Sequence, residues 1–169
     1  ALPRIVILGA GLGGTIAAFE IKDAVKRRAD VHVISDSERF SFTPSNPLVA
    51  LGWREPAAIQ VALRPVFEGK HIGFISTGAK RVLPELNRIE LNDGSVVNYD
   101  YLVIATGPDL AIDEVTGLGP HGGFSSSVCQ TAHAVEAARA FDAFALDAGP
   151  VVIGAVQGAS CFGPAYEFA

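Results

Sequence analysis

The stretch Gly9-Ala10-Gly11-Leu12-Gly13-Gly14 constrains this chain more than any other part of it. It follows Arg4-Ile5-Val6-Ile7-Leu8, a continuous apolar run that predicts a strand buried on both faces. After it, Ile16, Ala17, Ile21, Ala24 and Val25 recur at helical spacing. Lys22, Lys26, Arg27 and Arg28 gather toward the end of that helix, where its dipole favours cations. Val31 to Ser35 predicts a second strand. A strand, a G-x-G-x-x-G turn, a helix and a strand within about thirty residues make a unit whose backbone can close on a pyrophosphate. The first glycine makes the turn, the second admits the phosphates, and the third lets the helix rest on the strand. The helix N-terminus then offers free N–H groups and a partial positive charge. Asp36, roughly 20 residues further on, ends the second strand, where a carboxylate accepts hydrogen bonds from ribose hydroxyls. The candidate dinucleotide-binding residues are Gly9, Gly11, Leu12, Gly13, Gly14, Ser35 and Asp36. A tight turn and nothing more is the competing reading of the glycines alone.

Composition narrows the rest. A chain of 169 residues has the length of roughly one domain. At 49% hydrophobic, 18% charged and a mean hydropathy of +0.33, it can fill a core, which excludes disorder. It is also oily enough to predict apolar surface that meets something else. A net charge of −5 argues against a nucleic-acid binder. No run reaches the ~18 apolar residues of a membrane-spanning helix, and Ala1-Leu2-Pro3-Arg4 enters the first strand without signal-peptide regions. Cys129 and Cys161 cannot make a disulfide scaffold, and they lack metal-ligand spacing, so no metal is expected.

Further along, Phe40 to Trp53 has no period and reads as a loop, and Pro56 opens a predicted helix over Ala57–Phe67. Short strands are predicted at His71–Ser76, Ala79–Leu83 and Asn87–Leu91, and Asn92-Asp93-Gly94 turns into another near Val96–Asn98. Tyr101–Ala105 is a buried strand closed by Thr106-Gly107-Pro108, and a helix is predicted over Thr131–Leu146. Pro150-Val151-Val152-Ile153-Gly154 then repeats the opening theme of apolar strand plus glycine. The predicted fold class is α/β: a doubly wound nucleotide-binding domain with a small β-meander (1–116), a connector and helix (117–149), and the first strand and turn of a second such domain (150–169).

The second glycine loop is broken. Gly154 and Gly158 stand in place, but Val156 occupies the position of the phosphate-approach glycine, where a side chain obstructs a pyrophosphate. A nicotinamide site is therefore not expected there. Cys161 follows, near the start of the expected helix, where free N–H groups favour thiolate over thiol; a small core residue is the alternative. Cys129 lies in an irregular polar connector, Ser125 to Thr131.

The strand ending in Ala105-Thr106-Gly107 resembles the second signature of the FAD-containing, disulfide-reductase-like flavoproteins, in which the turn passes near the flavin nucleotide, so FAD is the expected cofactor. More specifically, the chain resembles the sulfide:quinone oxidoreductases over essentially its whole length. Phe42-Thr43-Pro44-Ser45-Asn46-Pro47, Gly52-Trp53-Arg54, Cys129 and Gly158 through Glu167 carry that resemblance. It implies an N-terminal piece of a Rossmann-like, membrane-associated flavoenzyme that oxidises sulfide to polysulfur and reduces quinone. It further implies that Thr43 and Pro44 lie near the isoalloxazine ring, and that Cys161 is one of two redox cysteines, its partner beyond residue 169. Cys129 matches an additional cysteine that either attaches flavin or handles product sulfur. His133 and Glu167 are proton handlers by position, with a helix-face histidine and a solvated glutamate as the plain alternatives. The related flavocytochrome sulfide dehydrogenases carry a flavin-linking cysteine in the region of Phe42–Pro44, and this chain has none. An NAD(P)H-dependent flavoprotein and a nucleotide-binding module without catalysis are the rival readings. Peripheral membrane association and a homo-oligomer are expected of the intact enzyme.

Overall fold

The computed structural model describes residues 1–159 and 161–169. In chain order the elements are β1 (Arg4–Leu8), α1 (Leu12–Val25), β2 (Asp30–Ile34), β3 (Arg39–Ser41), α2 (Asn46–Ala50), β4 (Gln60–Ala62) and α3 (Leu63–Gly69). They continue as β5 (Gly73–Ile75), β6 (Ala79–Leu83), β7 (Arg88–Leu91), β8 (Val96–Asn98), β9 (Tyr101–Ile104), α4 (Thr131–Leu146) and α5 (Gly163–Phe168). The chain forms two compact units: Ala1–Phe42 with Gln60–Leu110, and Thr43–Ile59 with Ala111–Ala169.

The first unit is built on a parallel sheet of order β5-β2-β1-β9. Ile5 of β1 lies opposite Val31 of β2 on one side and Tyr101 of β9 on the other, so the opening strand is central. Its unbroken apolar run follows from burial on both faces. Ile7, Val31 and Val33 pack with Ala18 of α1 and with Leu63 and Phe67 of α3. Val6, Leu8 and Ile34 pack with Ile89, Leu91 and Val97 of the antiparallel sheet β6-β7-β8. The sheet is thus layered between helices and the meander. Phe67 is fully buried, its ring 6.0 Å from Phe19 and 5.3 Å from Phe74.

The second unit joins α2 to α4. Val49, Ala50 and Ile59 bury against Ala134, with Val128, Val135 and Phe168 at the margin.

Several local expectations are corrected. The helix predicted over Ala57–Phe67 is instead a 3-10 turn (Pro56–Ile59), strand β4 and then α3. Pro65 explains the break, since a helix running through it would lose the N–H owed to Val61; Val61 instead pairs with Phe40 across β3 and β4. The region read as loop over 40–53 contains the end of β3, a 3-10 turn and α2, and Arg54 donates to Ser45 Oγ at 2.9 Å. In α1 the face turned inward is Gly14, Ala18, Ile21 and Val25, whereas Ile16 and Ala24 are exposed. Of the predicted short strands, the one at 71–76 shortens to β5 and joins the parallel sheet rather than the meander. Val151–Ile153 forms no strand, and Val152 is 97% exposed. A strand exists through hydrogen bonds to a neighbour, and none of the described residues pairs with this segment. No described helix is long and apolar enough to cross a membrane.

Candidate functional site

The glycine loop leaves the central strand in the geometry a phosphate cradle needs. Gly9 has φ +105°, and a Cβ there would strike the carbonyl of Ala105. A Cβ on Gly14 would strike the carbonyl of Gly9. Both positions are closed by backbone. Gly11 differs: it caps α1 from ordinary extended backbone, and the space in front of it is empty. No side chain caps the helix, and no acidic residue lies in its first turn, so the N–H groups at its start remain available to an anion.

These residues open onto a cavity of about 380 Å³. Gly9, Gly11, Ser35, Asp36 and Thr106 line it. Ser35 is buried and accepts the Ser37 amide at 3.2 Å, which turns the chain so that Asp36 is exposed at the cavity edge. Leu12 and Gly13 are exposed on the first turn of α1, Gly14 is buried and Ala105 half-buried, and none of the four lines the cavity. Gly107 (φ +74°) is exposed just past β9. Sequence reasoning missed Arg39, Phe40 and Ser41, which also line the cavity. They belong to β3, whose short pairing with β4 left no periodic signal.

Thr43 and Pro44 lie in the second unit, exposed in the 3-10 turn before α2. There α2 and α4 meet through a polar contact that sequence reasoning also missed: the Thr131 hydroxyl donates to Asn46 Oδ1 at 3.0 Å, and Asn46 is 0% exposed. His133, two residues into α4, is 5% exposed, so it is no solvent-facing helix histidine. Its ring meets that of His121 at 5.6 Å, edge to face. Cys129 is exposed and unpaired, its amide donating to Ser127 Oγ at 3.2 Å. Cys161 is exposed and unpaired just before α5, which is a short helix carrying Glu167 on its exposed side. Among the described residues, no disulfide, hydrogen bond or ion pair joins Cys129, His133, Cys161 and Glu167 to one another.

Comparison with known proteins agrees with this geometry. The chain is 40% identical over 166 residues to the sulfide-quinone reductase of Aquifex aeolicus, covering 98% of this chain and 37% of that protein. It is 31% identical over 137 residues to the external alternative NAD(P)H-ubiquinone oxidoreductase B1 of Solanum tuberosum, mitochondrial, covering 74% of this chain and 23% of the relative. It superposes on the X-ray structure of the Aquifex aeolicus sulfide:quinone oxidoreductase with a TM-score of 0.90 at 39% identity, over 98% of this chain and 38% of that one. The chain therefore spans well under half the length of the relatives it matches. Residues 3–158, from the first strand through both glycine loops, match the pyridine nucleotide-disulphide oxidoreductase family, and the chain belongs to that family of oxidoreductases.

Proposed function

We propose that the intact protein is a sulfide:quinone oxidoreductase, in which hydrosulfide is oxidised to polysulfur and quinone accepts the two electrons. The observation that carries this reading is the extent of similarity to a sulfide-quinone reductase. An alignment covering 98% of the chain runs on past the broken second glycine loop and takes in Cys161.

FAD fits the first unit. The open space before Gly11 and the uncapped start of α1 suit its pyrophosphate, and Asp36 suits the hydroxyls of its adenosine ribose. Ala105, Thr106 and Gly107 follow the neighbouring strand, and Thr43 and Pro44 are assigned to the ring end of the cofactor. When bound, FAD would supply the redox centre that carries electron pairs from sulfur to quinone. The protein's own part is sulfur chemistry. Cys161, with a partner cysteine later in the sequence, forms the S–S bond that hydrosulfide attacks, and Cys129 handles product sulfur or attaches the cofactor. His133 and Glu167 accept and return protons. Residues 150–169 begin the second nucleotide-binding-like domain, and Val151–Ile153 becomes its first strand once neighbouring strands pair with it. Because quinones dissolve in the bilayer, the intact protein works as a peripheral membrane protein.

The similarity to an NAD(P)H-ubiquinone oxidoreductase supports a second reading, with NAD(P)H as donor. Val156 opposes it, because a side chain there stands where the nicotinamide nucleotide's phosphates would approach. Anaerobic flavin bleaching by the full-length protein separates the two. Sulfide is expected to bleach the flavin and NADH to leave it oxidised, with Cys161→Ser slowing sulfide-dependent bleaching at least a hundredfold at unchanged FAD content. Bleaching by NADH alone supports the second reading, and a Cys161→Ser protein reduced at the wild-type rate removes Cys161 from the mechanism.

A further inference from the structure

Two side-chain polar atoms among the described residues are buried without a partner, and both belong to the second unit: Asn46 Nδ2 and His133 Nδ1. Buried polar atoms are nearly always matched, so each points to something it serves. For Asn46 the amide is already anchored by Thr131. His133 has a different neighbourhood. Its ring is in edge-to-face contact with His121 at 5.6 Å and 66°. The His121 side chain is 72% exposed, and its Nε2 lies 3.8 Å from Glu136 Oε1. Glu136 stands three residues after His133 on α4, hence on the same side of that helix. His121 thus touches both a carboxylate at the surface and an imidazole that is only 5% exposed. Aromatic packing alone accounts for the ring contact but not for the carboxylate facing the outer ring.

We propose that His121 is a proton-transfer partner of His133, carrying protons between solvent and that buried ring, with Glu136 as its positioning residue. This rests on the reading above in which His133 handles protons. No hydrogen bond joins the two rings, so the exposed His121 ring first turns about its side-chain torsions to bring a free nitrogen to His133 Nδ1; in the outward direction protonated His133 then gives up a ring proton to it. One N–H bond breaks and one forms, no electrons are exchanged, and water then takes the proton from His121. The inward direction is the reverse. Glu136 faces the imidazolium form of His121 and holds that ring toward its neighbour. From α2, which runs Asn46-Pro47-Leu48-Val49-Ala50, no ionisable side chain faces the pair.

The test is solvent exchange of the His133 ring proton, followed by NMR in the FAD-loaded full-length protein carrying ¹⁵N-histidine, with His133→Gln identifying the signal. His121→Gln is expected to slow exchange at least tenfold, Glu136→Gln about threefold, and free imidazole to restore the rate in His121→Gln. If His121 merely covers His133, its removal admits water and exchange quickens; equal or faster exchange overturns the proposal. Should His121→Gln fail to fold, Glu136→Gln decides by the same sign, since glutamine keeps the shape of that half-buried side chain and removes only its charge. The exchange is read on resting protein without sulfide. Absence of sulfide-dependent bleaching in the wild type therefore counts against the proposed function alone, whereas unslowed exchange counts against the relay alone.

Discussion

Gly11 and Gly14 of the first glycine loop do different work, and substitution separates them. A methyl group at Gly14 collides with the carbonyl of Gly9, which cannot yield without moving the central strand. Gly14→Ala is expected to destabilise the fold by about 1–3 kcal/mol, read as a lowered urea midpoint. Gly11→Ala meets no atom and keeps an extended backbone angle, so its cost stays below about 1 kcal/mol. Its effect should fall on the cofactor: FAD affinity is expected to drop at least tenfold in a fluorescence titration, and an unchanged affinity would remove the pyrophosphate from this loop. The motif was legible because each glycine answers a local steric demand. Arg39, Phe40 and Ser41 were not legible, since their place at the cavity depends on pairing with the distant strand Gln60–Ala62. His133 shows the same limit. Its burial and its contact with His121 are tertiary facts that its own neighbours in the chain do not predict.

Elements with a single strong period follow from local sequence, and those defined by partners do not. β6, β8 and α4 occupy the predicted ranges, whereas the 57–67 segment divides because Pro65 forbids one long helix and β3 offers Val61 a partner. The pairing of β1 with β2 also carries an electrostatic clasp. Asp30 Oδ2 lies 2.8 Å from His32 Nε2 and 3.5 Å from Arg4 Nε, with Arg4 opposite Asp30 in the register. The hydrogen bond from His32, aided by the charges of His32 and Arg4, holds the Asp30 carboxyl below its ordinary value against the opposing effect of burial. A depressed carboxyl contributes stability above the unfolded-state value near 3.9 and loses it as pH falls through the folded value. Asp30→Asn should therefore lower the urea midpoint at neutral pH, and the gap to wild type should close as the solution is acidified below the carboxylate range. A gap that stays constant with pH would show that the clasp acts through packing instead. The pair is half exposed, so the effect is small.

At the scale of the whole molecule, stability and surface divide between what is covered and what is not. Phe67 joins Phe19, Phe74 and the sheet in the first unit, and it is the largest fully buried side chain. Phe67→Ala is expected to cost about 3–5 kcal/mol, measured by chemical unfolding; a loss under 1 kcal/mol would mean the core relaxes around the gap. The oily composition has its counterpart in large apolar side chains left in solvent, among them Trp53, Phe124, Leu146 and Val152. Composition forecast that surplus without locating it. Exposure is a property of the packed chain, whereas composition counts residues wherever they lie.

The opening strand, the steric roles of the glycines, the Asp36 position and the α/β class were determined by the sequence alone, because each rests on contacts between residues close along the chain or on one unbroken apolar period. Tertiary structure alone decided that a meander covers the second face of the sheet, that 57–67 splits at Pro65, that Arg39 reaches the nucleotide cavity and that His133 is buried beside His121. Each of these depends on which distant segment arrives as a neighbour, and no local pattern encodes that arrival.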